Sequence, residues 1–318
     1  MDLSEFQKIT DDLRTEVGTV VQGQGPLIDF LLVSLFARGH CLLEGPPGTA
    51  KTLLARCLSQ VISLDFGRIQ FTPDLMPGDV LGVNLFNFQS NEFRLTQGPV
   101  FTDILLADEI NRAPPKTQSA LLQAMNEREV TIDGTNYQLG GEFFVIATQN
   151  PIEQHGTYPL PEAQLDRFLF KLIVDFPDRD AEVAILERNA SLPVDTDKGR
   201  TGLRQILSRD ALQASRALVD SIRLDSSILT YIVDLVRATR TDAEILHGAS
   251  TRAADALSGA VRARAALDGR DYAIPDDVQA LLVPVLRHRV VLGPTAEIEG
   301  RTSDDVLTTI VNRMDAPR

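Results

Sequence analysis

The chain has 318 residues, 43% of them hydrophobic and 24% charged, enough for one large or two ordinary domains around a sizeable core. No apolar run approaches the length of a membrane span and the start, Met1-Asp2-Leu3-Ser4-Glu5, is acidic, so a cytoplasmic protein without a signal peptide is expected. A net charge of −13 argues against a broad phosphate-neutralising surface and sets nucleic acid aside as a main partner. Cys41 and Cys57 are the only cysteines and read as small core hydrophobes. The four histidines show no ligand spacing, so no metal site is expected beyond Mg²⁺ carried by a nucleotide.

In chain order, apolar spacing predicts a helix over Pro26–Arg38 and a buried strand over Cys41–Glu44. The next octapeptide, Gly45-Pro46-Pro47-Gly48-Thr49-Ala50-Lys51-Thr52, satisfies G-x-x-x-x-G-K-[ST] and leads through Leu53 into a helix over Lys51–Ile62. A strand, a Gly-rich loop and a helix start in that order converge backbone N–H groups on one point, with the helix dipole behind them. Gly45 and Gly48 allow the tight turn, Lys51 would neutralise the β- and γ-phosphates, and the Thr52 hydroxyl would ligate Mg²⁺. The chain is expected to bind ATP.

A strand over Arg68–Phe71 precedes a Pro/Gly-rich stretch, Phe71–Gly82, and then hairpin-like arms at Leu85–Phe88 and Phe93–Thr96. The strand Ile104–Ala107 ends in Asp108-Glu109. In a parallel sheet both acids stand at the ligand-binding edge, Asp108 to hold Mg²⁺ and Glu109 to orient the attacking water. A helix over Lys116–Asn126, a hairpin over Glu129–Gly141 turning at Asp133-Gly134, and a strand over Phe143–Thr148 follow. That strand ends near Asn150, placed either to hydrogen-bond the water or γ-phosphate or simply to form a turn before Pro151. Phe170–Val174 is the last expected core strand.

After Phe176-Pro177 the pattern turns helical over Asp178–Asn189, Asp210–Val219, Ser226–Thr239, Thr251–Leu267 and Pro275–Leu286, with no strand expected between them. The fold class is therefore α/β, a parallel-sheet core with helices on both faces (residues 1–177) followed by a small all-α domain (178–318). The basic cluster Arg287-His288-Arg289 reads as a helix end beside a lid or subunit interface.

Four motifs in this order resemble the MoxR family of AAA+ ATPases: Gly45–Thr52, Asp108-Glu109-Ile110-Asn111-Arg112-Ala113, Ala147-Thr148-Gln149-Asn150-Pro151 and Leu160–Phe168. The likeness extends over essentially the whole chain. It implies that Asn150 is the sensor-1 residue and that Arg167 is the arginine finger entering a neighbour's site. It also implies that Arg252 is the sensor-2 arginine reaching from the lid to the γ-phosphate. Thr251 stands where the family usually has Pro. Gln22-Gly23 match the segment against the adenine, residues 72–100 the insert in the second helix, and residues 129–141 the hairpin before sensor 1. Taken alone, Arg167 could instead pair with Asp166 or Glu162, and Arg112 is a rival interface arginine.

The resemblance implies a ring, most often of six copies, that hydrolyses ATP to remodel or activate a partner, commonly a protein with a von Willebrand factor A domain. Competing readings are a nucleotide-gated scaffold with slow hydrolysis and the motor subunit of a magnesium-chelatase-like complex. A DNA-translocating motor fits the acidic balance poorly.

Overall fold

A computed structural model describes residues 1–89, 91–151, 156–191 and 202–317. Helix α1 (Leu3–Gly18) is capped by Asp2, whose carboxylate accepts the Glu5 N–H at 2.8 Å, and it has no counterpart among the expected elements. Helix α2 (Gly25–Phe36) leads to β1 (Cys41–Glu44), α3 (Lys51–Val61) and β2 (Phe66–Gln70). The short α4 (Pro77–Leu81) introduces an antiparallel hairpin, β3 (Gly82–Asn87) and β4 (Glu92–Gln97). Next come β5 (Ile104–Asp108), α5 (Pro115–Glu127) and a second hairpin, β6 (Glu129–Ile132) with β7 (Thr135–Gln138). The core closes with β8 (Phe144–Gln149), the short α6 (Glu162–Leu165) and β9 (Phe170–Ile173).

The five core strands pair in parallel in the order β2-β5-β8-β1-β9. β1 lies between strands that come later in the chain, so the loop after it opens at the carboxyl edge where the strand order switches direction. The pleat divides the apolar residues between two faces. Cys41 and Leu43, Ile104 and Leu106, and Phe144 and Ile146 face α1, α2 and α3. Leu42, Leu105, Ala107, Val145 and Ala147 face α5 on the other side. This is the α/β layer with helices on both faces that the alternation predicts, and each fully buried Leu or Ile contributes about 2 kcal/mol.

The C-terminal part comprises α7 (Arg179–Ser191), α8 (Arg209–Asp220), α9 (Ser226–Ala238), β10 (Ile245–His247), α10 (Thr251–Leu267), α11 (Pro275–Leu286), β11 (Val291–Leu292), α12 (Pro294–Ile298) and α13 (Ser303–Arg313). It is not purely helical: β10 and β11 form a short antiparallel pair. A two- or three-residue strand is too brief to show period-2 alternation, which is why the pattern conceals it. Helix α10 packs along α1, α2 and α8, and one apolar core runs from Phe6 through Leu257 and Val261 to Ile310. That packing fixes where the lid arginines stand.

Candidate active site

The phosphate loop follows from backbone constraints. A Cβ on Gly45 would lie 2.1 Å from the Val174 carbonyl oxygen, so only glycine lets β1 run on beside the end of β9. Gly48 has φ +85°, and Ala50, the residue before α3, is left-handed at φ +60°, a strained conformation for a residue with a side chain. The loop and the N-terminal turn of α3 open on a cavity of about 370 Å³, lined by Gly45 and by Pro47 through Leu53. Pro46 does not line it; its carbonyl accepts Lys51 Nζ at 2.7 Å and the Thr49 hydroxyl at 3.0 Å. Lys51 Nζ also donates to the Gly45 carbonyl at 2.9 Å. Burial lowers the Lys51 pKa and the nearby Asp108 and Glu109 carboxylates oppose that shift.

The two acids enter from the end of β5. Asp108 is buried, with Oδ1 accepting the Thr148 hydroxyl at 3.1 Å and Oδ2 accepting Arg68 Nε at 2.8 Å and Thr52 Oγ1 at 3.4 Å. Glu109 is left-handed (φ +57°), and its N–H donates to the same Thr148 hydroxyl at 2.9 Å. One threonine on β8 thus sets both acids relative to each other. The Glu109 carboxylate lies 2.9 Å from Arg112 Nε. Asn150 is buried at the end of β8 and lines the cavity with Thr148 and Gln149. The donor set fits Mg²⁺ bound with a nucleotide: a hydroxyl and a buried carboxylate oxygen, Thr52 Oγ1 and Asp108 Oδ2, beside the phosphate loop.

Sequence reasoning missed Arg68, Gln70, Thr148 and Gln149 as cavity residues. Arg68 lies on the strand next to β5, with Gln70 directly opposite Asp108. That adjacency depends on strand order, which no local pattern reveals. Thr148 carried a local signal, two residues before Asn150 at the end of an apolar strand.

The remaining expected site residues lie elsewhere. Arg167 and Arg252 line a second cavity of about 380 Å³, neither of them bordering the phosphate loop. Arg167 Nη1 donates to the Leu122 carbonyl at 2.5 Å and, among the described residues, has no ion-pair partner. The neighbouring acid is engaged otherwise: Asp166 accepts Arg289 Nε at 2.7 Å and lies 3.6 Å from Arg252. Arg252 therefore does not reach the phosphate loop of its own chain, because α10 is held against α1 and α2 and the end of α11 is clamped to the core. The clamp is the basic cluster: His288 Nε2 bonds the Phe168 carbonyl at 2.9 Å, and Arg289 donates to the Asp166, Phe168 and Leu169 carbonyls.

Gln22 and Gly23 border a third cavity with Arg14, Val21, Ile28 and Asp29. Gly23 (φ +74°) packs on Pro177 and Ala181, where a Cβ would come within 2.7 Å of the Ala181 Cβ. It also borders a cleft of about 490 Å³ with Phe30, Ile173 and Phe176, just past the Val174 carbonyl that covers Gly45. Cys41 and Cys57 are buried and not disulfide-bonded, and burial pushes the Cys41 thiol up to about 12. Among the described residues no three His, Cys, Asp or Glu side chains group to hold a metal, and no helix is long and apolar enough to cross a membrane.

A glycine loop between β1 and α3, paired acids ending β5 and a helical lid define a P-loop ATPase of the AAA class. Residues 40–170 match the model of the ATPase family associated with various cellular activities, and residues 237–310 match the AAA lid domain. The chain is 40% identical to Chaperone MoxR1 of Mycobacterium tuberculosis, over 95% of this chain and 81% of that one. It is 31% identical to Protein MoxR of Paracoccus denitrificans over 93% and 92% of the two chains, and 44% identical to the Bacillus subtilis protein YeaC over 95% and 92%. The crystal structure of a protein from Cytophaga hutchinsonii superposes with a TM-score of 0.91 at 39% identity, covering 99% of this chain and 97% of that one. The chain belongs to the MoxR family of AAA+ ATPases.

Proposed function

We propose that the protein is an ATP-hydrolysing motor that works as a ring of six copies and remodels or activates a partner protein. The separation of the two cavities carries this reading. Lys51, Thr52, Asp108, Glu109 and Asn150 surround one space, while Arg167 and Arg252 border another. A triphosphate held by one subunit then receives both arginines from its neighbour, so turnover requires assembly. In this reading Arg252 reaches the γ-phosphate of the next subunit's nucleotide.

In each site Lys51 and the amides of residues 48–52 would hold the phosphates. Thr52 and Asp108 would hold Mg²⁺, which screens the β,γ-phosphate charge when bound. Glu109 orients the attacking water once its carboxylate parts from Arg112, and Asn150 positions that water or the γ-phosphate. The adenine would enter the cleft bordered by Gly23 and Phe176. The client is a protein, with von Willebrand factor A domain partners the first to try on family grounds.

Sedimentation of the Glu109→Gln variant with Mg²⁺ and ATP tests assembly. A closed oligomer that forms with nucleotide is expected; a monomer at every concentration would contradict the ring.

A further inference from the structure

We propose that Arg128 is a third arginine, beside Arg167 and Arg252, that each subunit presents to the phosphates of the nucleotide bound by its neighbour. The proposal rests on the ring reading above and deepens it. The second cavity is lined by Arg38, Arg128, Arg167, Arg252 and Arg289 against only Asp166 and Asp255, in a chain of net charge −13. Such a concentration of cations is the inverse of the overall balance.

Three of the five are engaged with carboxylates. Arg289 and Arg252 share Asp166, and Arg38 forms a two-pronged pair with Asp220 at 2.8 Å. Arg128 and Arg167 form no ion pair among the described residues: each bonds only a backbone carbonyl, Gly141 at 3.5 Å for Arg128 and Leu122 for Arg167, with Glu142 the carboxylate that acts on Arg128 from beyond contact. Burial and the Arg38 cation both lower the Arg128 pKa, with the Glu142 carboxylate opposing them only in part, and an incoming anion would offset the remaining cost of the charge.

The backbone supports a presenting role. Arg128 ends α5 in a left-handed conformation (φ +52°), its N–H bound to the Ala124 carbonyl at 2.9 Å and its carbonyl accepting the Leu139 N–H at 2.8 Å. The base of the side chain is thus pinned between α5 and the β6–β7 hairpin. Glycine or asparagine suits a left-handed helix end better than arginine does. Capping alone therefore does not explain the residue, whereas a fixed cation aimed into an anion-binding cavity does. Polyphosphate, not a neighbour's carboxylate, is the occupant that fits a site already holding the expected arginine finger.

The test compares Arg128→Ala, Arg128→Gln and Arg167→Ala at a protein concentration where the wild type is fully assembled. Both Arg128 variants should melt like the wild type yet lose turnover by about 100-fold, the scale for removing one charge-stabilising donor. Mixing either with Glu109→Gln should restore hydrolysis above that of both parents, because one interface then pairs an intact Glu109 with an intact Arg128. Wild-type turnover in the Arg128 variants, with Arg167→Ala inactive, would overturn the proposal and leave the ring reading standing. Loss without rescue in the mixture, while Arg167→Ala is rescued, would make Arg128 a residue acting within its own subunit and also overturn it. If Arg167→Ala keeps full turnover, the ring reading itself fails.

Discussion

Arg289 Nε lies 2.7 Å from the Asp166 carboxylate, and only 3% of the arginine side chain is exposed. The guanidinium also reaches the Phe168 and Leu169 carbonyls, so the end of α11 is bound to the loop that bears Arg167. Under the proposed ring reading, a rotation of the lid would be carried to Arg167 through this contact. Arg289→Ala would leave Asp166 only its longer 3.6 Å pair with Arg252 and would strip the Phe168 and Leu169 carbonyls of a donor, so it should cost about 3 kcal/mol. Denaturant midpoints read that cost, and turnover should fall further than stability alone explains because Arg167 loses its support.

Lys51→Ala should abolish nucleotide binding. In the structure Nζ occupies three oxygens of its own loop, the Gly45 and Pro46 carbonyls and Thr49 Oγ1. These are weak holds that a polyphosphate outcompetes. Titration with a fluorescent ATP analogue should show affinity lower by at least about 100-fold for the variant. Retained binding would move the phosphate site elsewhere.

Glu109→Gln should hold ATP at near wild-type affinity and hydrolyse it slower by about 100-fold or more. The amide keeps the shape of the side chain and loses the carboxylate that meets Arg112 at 2.9 Å and that, in the proposed mechanism, polarises water. Single-turnover hydrolysis separates this from a binding defect. Near wild-type turnover would remove Glu109 from the reaction.

Stability should fall in mild acid. His40 is buried, its Nδ1 accepting the Val145 N–H at 3.0 Å and its Nε2 bonding the Met125 carbonyl at 3.2 Å. Burial, with Arg128 and Arg216 adding repulsion, lowers its pKa from 6.5 to about 4. The unfolded chain therefore binds a proton that the folded one refuses. The His40 contribution is complete above pH 6.5 and is lost as the pH falls from there towards 4. Between pH 7.5 and 5 the loss should be about 2 kcal/mol. His288, also shifted well down by burial and by Arg289, acts in the same direction. Denaturant unfolding at the two pH values, with His40→Gln showing a shallower slope, checks the sign and the source.

Local chemistry was legible where the residues are contiguous. The phosphate loop, Asp108-Glu109 and Asn150 each close a strand, so period and punctuation locate them, and α10 and α11 run over the residues that apolar spacing marks. The first helix was within reach, since Phe6, Leu13 and Val17 form its buried stripe. Contacts between distant segments were not. Arg289 and Asp166 are 123 residues apart, and nothing local in either predicts the pair. Arg68 meets Asp108 only because β2 is the neighbour of β5. Arg252 sits near the start of a helix whose docking face against α1 and α2 holds it at the second cavity, away from the phosphate loop of its own chain.

The central claim is that each site is completed by the next subunit. Its most direct test is steady-state ATPase specific activity over a wide range of protein concentration with Mg²⁺ present. The separate placement of Lys51 and Arg167 predicts activity per subunit that rises steeply as subunits associate and then levels off. Measurable activity that stays constant on dilution far below the assembly constant would mean a self-sufficient site and contradict the account.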